Sequence, residues 1–545
     1  MKRRVLAMLS GALLLSGALT VPTRAQEPAA PNPEIERLKA QLAAQQEQID
    51  QLRRTLDEQK KILDEASRPK PPSLGEVAST TAVVPSGNVA PVLHPGLAAA
   101  LSMPQAGAQE PPPSPLQIHL GTVTITPVGF MDMTGVFRTT NPGTSIGTNF
   151  GSIPFGNTPQ GQLTEMRFSA QNSRIGARID GNVHGAHVLA YWESDFLGTT
   201  PGNFTVTSNS DTFRMRLYWV DVRKDKWEVL GGQSWSLMTP GRKGISGLPG
   251  DIFYSQDFDT NYQLGLTWSR QPGFRFIYHP TSTVSWALAL ENAEQYGGGS
   301  GGGGTITLPS SLSTSYANQL NTGSQGSSDP NLGPDIITKL ALDPVVNGKL
   351  MHVEFVGLLS NFKVFNSTTS QSFSKTGGGG EFNLNLEVAK GFHLIANTFF
   401  SDGGGRYIFG LAPDLIIRPD GSISLVHSYS TVDGFEYHFK NAVLYAYYGG
   451  VDIGKNFSVD SNGALVGYGY PGSSGGQNRI IQEATFGINP TFWKSPNYGA
   501  LGMFLQYSYL TRSPWAPTAT ARNASSNMIW VDLRYTLPGQ APSVK

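Results

Sequence analysis

"SRIGARIDGNVHGAHVLAYWESDF" runs from Ser173 to Phe196. Taken two residues at a time, Arg174, Gly176, Arg178 and Asp180 form one set, and Ile175, Ala177 and Ile179 the other. After Gly181–Gly185 the alternation returns. His187, Tyr191, Glu193 and Asp195 then share one side, and Val188, Ala190 and Trp192 the other. Successive strand side chains point to opposite faces, so the stretch reads as two strands joined by a tight turn. The fold depends on which face is turned inward.

The same pattern recurs along the chain. "EFNLNLEV" (381–388) sets Glu381, Asn383, Asn385 and Glu387 against Phe382, Leu384, Leu386 and Val388. "TFRMRLYW" (212–219) sets Arg214, Arg216 and Tyr218 against Phe213, Met215, Leu217 and Trp219, and "QLGLTWS" (263–269) places Leu264, Leu266 and Trp268 together. "SWALALE" (285–291) and "ALGMFLQYSY" (500–509) alternate in the same way. The polar sides carry charge, and the apolar sides end in aromatics such as Trp192, Trp219, Trp268, Trp286 and Tyr509.

Composition narrows the choice. The chain has 545 residues, 63 Gly, no Cys, and 40 basic against 40 acidic residues. Zero net charge argues against nucleic acid as a partner. Without Cys there is no disulfide, thiolate metal site or Cys nucleophile. Lys2, Arg3 and Arg4, then "VLAMLSGALLLSGALT" and a small-residue cleavage site at Thr23 and Ala25, read as an export signal over residues 1–25.

An exported, Gly-rich chain with many short alternating segments and no helices to cover them fits a transmembrane barrel. Its apolar side chains face lipid, its aromatics lie at the interfaces and its lumen is polar. Ile175 and Val188 are then expected to touch lipid, and Arg174 and Glu193 the lumen. The expected fold is all-β, a sixteen-stranded antiparallel barrel within 117–538. Its strands lie near 118–138, 163–180, 186–196, 211–223, 227–236, 261–279, 284–291, 335–343, 349–362, 381–389, 392–402, 433–440, 442–453, 480–489, 499–511 and 527–537. "QPG" (271–273) reads as a bulge in one long strand. Short turns alternate with long loops, which puts the turns and both chain ends on the periplasmic side.

Two regions precede the barrel. Residues 34–66 read as a periplasmic coiled coil: positions 35, 42, 49, 56 and 63 are all Ile or Leu, and 38, 45, 52 and 59 alternate Leu with Gln. That mixed seam leaves dimer and trimer open. Residues 67–116, with "RPKPP" and "PPPSP", read as a Pro/Ala/Ser-rich linker.

The layout resembles the DcaP-like porin family. The stretches that carry the likeness are "FSAQNSRIGARI" (168–179), "YWESDF" (191–196), "RLYWVDV" (216–222) and "LGGQSWSLM" (230–238). The resemblance implies a homotrimeric outer-membrane channel for small, often anionic, organic solutes. Two features depart from it: Pro538–Lys545 follows the last strand in place of a terminal aromatic, and "GGGSGGGG" (297–304) is an unusual loop.

A sixteen-stranded barrel leaves an aqueous channel, whose selectivity comes from charged side chains and inward loops. The candidate pore-lining residues are Arg174, Arg178, Arg214, Arg216 and Arg275, the acids Glu193 and Asp195, and Arg242 and Lys243 from "PGRKG". Guanidinium groups stacked along one wall suit carboxylates, dicarboxylates above all. The alternative for each arginine is simple pairing with a wall acid such as Asp180, Glu193 or Asp195. Catalytic patterns are weak. "GSSGG" (472–476) lies in a Gly-rich loop, and His184 and His187 lack the spacing of a metal site. The expectation is a channel and not an enzyme, with no cofactor and no metal, whose partners are small solutes, outer-membrane lipid and copies of itself. A structural anchor that reaches the cell wall through the coiled coil is the second reading.

Overall fold

The computed structural model describes residues 114–538 apart from 200–208, 210, 254–255, 324–329 and 332, together with Gln46 and Asp50, which are helical. The export signal, the rest of the heptad segment and nearly all of the linker lie outside the described residues.

Sixteen wall strands follow one another. They are β1 (Val123–Arg138), β2 (Glu165–Ser169 continued by Arg174–Val183), β3 (Ala186–Asp195), β4 (Arg214–Lys224), β5 (Trp227–Trp235), β6 (Arg270–Thr281), β7 (Val284–Glu291) and β8 (Asp335–Leu342). Then come β9 (Lys349–Asn366), β10 (Gln371–Ala389), β11 (Phe392–Asp402), β12 (His427–His438), β13 (Ala442–Ile453), β14 (Asn478–Ser495), β15 (Gly499–Pro514) and β16 (Ala524–Thr536). Each pairs antiparallel with the next, and β16 closes on β1 from Phe130↔Thr536 to Arg138↔Met528. Closure leaves no unpaired edge, which is what a sheet in lipid requires. The two halves of β2 both pair with β1, through Thr134↔Ser169 and Phe130↔Arg174.

The opening stretch is β2 and β3, joined at His184 (φ 49°) and Gly185. Its polar side faces in and its apolar side faces out: Arg174 is 5% exposed and Ile175 49%. The outward belt continues around the wall with Val220, Val229, Leu288, Leu394, Ile529 and Leu533. Aromatics gather toward its turn end, where Trp227 packs on Tyr278 (4.3 Å) and Tyr437 on Phe439 (4.3 Å).

Several boundaries and facings differ from the sequence reading. In β4 the register slips: Glu193 pairs with Leu217, but Ser194 with Met215. Arg216 is the extra residue of a β-bulge, so Arg216 and Leu217 both face inward and the phase inverts beyond them. Leu217 and Trp219 are therefore interior, 0% and 4% exposed, and Tyr218 faces out. The stretch 261–269 alternates like a strand yet joins no ladder, and Trp268 sits among interior rings. "QPG" carries no bulge, because Gln271, Pro272 and Gly273 pair in step with Ser234, Gln233 and Gly232. The β6–β7 irregularity lies instead between Tyr278 and Thr281. β9 and β10 run on to Asn366 and Gln371, so Gly377–Gly380 is strand, and β12 begins at His427.

Seven short turns lie at one end of the barrel, and the other end carries the long loops and one four-residue turn, 367–370, between β9 and β10. The loops fold together into an apolar mass in which Ile146, Phe150, Met238, Ile306, Tyr316 and Leu411 are buried. The Gly-rich run is where the loop after β7 wedges among its neighbours. A Cβ on Gly304 would sit 2.3 Å from the Gly476 carbonyl oxygen, so a side chain there has no room.

Candidate functional site

The inward face of β2–β4 carries two guanidinium–carboxylate groups. The β-bulge turns Arg216 toward β3, where its Nε donates to Glu193 (2.8 Å) and its Nη1 to Asp195 (2.8 Å). Arg214 binds both oxygens of Asp195, at 3.0 and 2.8 Å. Arg174 reaches Glu193 at 3.4 Å and lies over the Phe130 ring. Nearer the turns, Arg178 forks onto Asp180 with two bonds of 2.8 Å, and His187 approaches the same carboxylate at 3.5 Å. Planar forks facing carboxylates are the geometry in which arginine binds best. Arg275, on β6, donates instead to the Trp235 carbonyl at 2.6 Å.

The segment between β5 and β6, residues 236–269, leaves this wall and crosses the lumen. Gly241 donates its N–H to Glu354 of β9 (3.1 Å), and Gly244 donates to Asp343 (2.9 Å). Arg242 binds both oxygens of Glu436 on β12, each at 2.9 Å, and stacks over Phe253. The Gln256 N–H meets the Tyr447 hydroxyl (3.0 Å), Phe258 donates to Gln506, and Leu264 donates to Glu483 (2.9 Å). Gly265 passes so close to β12 that a Cβ would lie 2.3 Å from the Thr431 oxygen. Lys243, next in the chain, is exposed and has no ion pair among the described residues.

The opposite wall carries the anchors. Glu354 takes bonds from Lys339 (3.0 Å) and Asn383 (2.9 Å), and His352 Nε2 lies 3.1 Å from it. Glu436 also accepts from the Tyr447 hydroxyl (2.7 Å). Within the loop, burial pushes the Asp251 carboxyl up to about 6, against smaller opposing effects from Ser246 and Lys243. Burial raises Asp259 as well, although it accepts the Thr148 N–H at 3.1 Å.

The nine sequence candidates therefore fall into three groups. Arg174, Arg178, Arg214, Arg216, Glu193 and Asp195 share the β2–β4 wall, Arg242 and Lys243 sit on the crossing loop, and Arg275 stands apart on β6. The pairing with wall acids is what the geometry shows for Arg174, Arg178, Arg214 and Arg216. Sequence reading missed Glu354, Glu436, Asp343 and Arg270. Glu436 and Glu354 were visible as lone acids on alternating segments, but nothing local named their loop partners. Among the described residues no cluster of His, Asp or Glu could hold a metal ion.

No protein-family model matches the chain, and no curated protein matches it. Solved structures do. The outer-membrane channel DcaP of Acinetobacter baumannii aligns with a TM-score of 0.55 at 15% identity, over 77% of this chain and 98% of that one. An anion-selective porin from Comamonas acidovorans gives 0.44 at 10% identity, over 76% and 99%. OmpT of Vibrio cholerae, an outer-membrane protein, gives 0.41 at 10%, over 77% and 99%. The DcaP likeness found in the sequence is thus met at the level of architecture: residues 114–538 have the fold of the DcaP channel.

Proposed function

We propose that the protein is an outer-membrane channel through which small hydrophilic solutes diffuse, with a preference for organic anions such as dicarboxylates. The observation that carries this reading is the sidedness of a closed sixteen-stranded wall, apolar outward and charged inward. A lumen of that kind holds water. The preference for anions rests on the β2–β4 wall, where guanidinium groups outnumber the carboxylates they face. Arg174, Arg178, Arg214, Arg216, Arg275, Arg242 and Lys243 set the field, and Glu193 and Asp195 moderate it. The DcaP fold supports the channel reading, and the heptad at 35–63, together with the resemblance carried by the sequence, supports a homotrimer whose coiled coil lies in the periplasm. The same heptad favours a second role as an envelope tether. Uptake of dicarboxylates and sugars into liposomes carrying the purified protein tests the channel. Dicarboxylate entry faster than that of a neutral sugar of equal size is expected, and no entry of either would overturn it.

A further inference from the structure

Arg270 opens β6 at the root of the crossing loop, opposite Trp235 in the ladder. Its guanidinium lies 5.1 Å from the ring centroid of Trp235 and 5.1 Å from that of Trp268. Tyr262 stands edge-on to Trp268 at 5.1 Å and packs against Trp235 at 5.6 Å. Phe409 closes the far side, stacked on Trp268 at 5.3 Å. The Tyr262 hydroxyl accepts from Arg216 Nη2 at 3.1 Å, which ties this aromatic cage to the arginine wall.

Every other guanidinium of that cluster has a carboxylate. Arg174 has Glu193, Arg214 has Asp195 and Arg216 has both. Arg270 has none: among the described residues it makes no ion pair and no hydrogen bond, and it is only half buried. The positive charges of Arg214 and Arg216 act on it as well, and so does the Asp195 carboxylate, which is already bonded to those two. Four guanidinium groups thus face two carboxylates, and the surplus charge falls on the one side chain whose donors are uncommitted. Two indole faces fix the plane of that guanidinium, so little rotamer freedom is lost when a ligand binds its fork.

We infer that Arg270 is the residue that takes the carboxylate of the permeating anion, with the Trp235–Trp268 cage holding its fork in place and Arg214 supplying the adjoining charge. This rests on the channel reading above and assigns its specificity to a residue outside the paired wall. The paired arginines shape the field, while Arg270 makes the contact.

The test is glutarate block of single-channel current through the full-length protein in planar bilayers, with glucose as the neutral control. Wild type should be blocked in a concentration-dependent way by glutarate and not by glucose. R270Q should raise the half-blocking glutarate concentration about tenfold to a hundredfold, the worth of a charge-assisted hydrogen bond. Its conductance in potassium chloride should stay within about twofold, since the paired wall is intact. R270K keeps the charge in place and guards against misfolding. It should weaken block by several-fold, because an ammonium neither forks nor stacks as guanidinium does. Unchanged glutarate block in both variants overturns the assignment and leaves the channel reading standing. A wild-type channel with no glutarate block and no anion preference overturns the assignment together with the anion preference proposed above, and the absence of any single-channel current overturns the channel reading itself.

Discussion

The β2–β4 wall and the β8–β12 wall both bury charge, but they settle it differently. On β2–β4 the partners are neighbours along or across the wall: Arg178 with Asp180, Arg214 and Arg216 with Asp195. On β8–β12 the carboxylates Glu354, Asp343 and Glu436 also take partners from the crossing loop: two glycine N–H groups and Arg242. One wall pairs its carboxylates within itself, reaching the loop only through Arg216 and the Tyr262 hydroxyl, and carries the lumen's field. The other is a docking strip that holds the loop across the bore. Similar inward-facing charge therefore does two jobs, and the two are separable by mutation.

The largest effect should come from the docking strip. E436Q leaves Arg242 with half its pairing and the Tyr447 hydroxyl without an anion. Breaking such a pair from one side costs on the order of 3–5 kcal/mol when it is buried, and less here because Arg242 is partly exposed. The loop should loosen, seen as a higher single-channel conductance and new protease cuts within 237–260. Conductance and cleavage equal to wild type would show that the loop is held by other contacts.

Next comes the β2–β4 wall. Changing Arg214 and Arg216 together to Gln should cut dicarboxylate flux several-fold and lower anion preference while neutral sugar flux barely moves. Stability should also fall, since Arg216 is fully buried between two carboxylates. R214Q alone is the milder change, because Arg216 still holds Asp195. Ion selectivity unaltered in the double variant would reduce these arginines to wall salt bridges.

The smallest expected effect concerns pH. Burial lifts Asp251 to about 6 from its ordinary 3.8, so the folded loop takes up a proton more readily than the unfolded chain. A folded-state value above the unfolded one makes stability fall as pH rises from about 4 to about 6, and it levels above that. D251N should remove that slope and stabilise the protein at pH 7 by about 1–2 kcal/mol, read from thermal melts at pH 4.5 and 7. Parallel pH dependence in the variant would count against it.

The strand wall was readable because a two-residue period imprints on any segment with one wet and one lipid face. That is why Arg174 and Ile175 were sided correctly from their alternation alone. The failures have specific causes. Trp219 was placed on lipid because a single bulge residue, Arg216, inverts the phase of β4, and no local residue marks such a slip. Residues 263–269 alternate because they pass between an apolar mass and a polar wall, which imitates a strand without a ladder. Gly377–Gly380 looked like loop, yet its backbone pairs with β9 throughout and, from Gly378 on, with β11 as well. The arginine candidates were legible one at a time. Their acids on the same wall were nameable, but Glu436 lies 194 residues from Arg242, and only the folded chain joins them.

A reversal potential reads out directly whether the lumen favours anions. Full-length protein in a planar bilayer, under a potassium chloride gradient, should give discrete conductance steps and a reversal potential on the anion-selective side. Replacing chloride with glutarate on one side should leave a measurable anion current. Discrete steps with a cation-selective reversal potential, or no steps at all, would contradict the account.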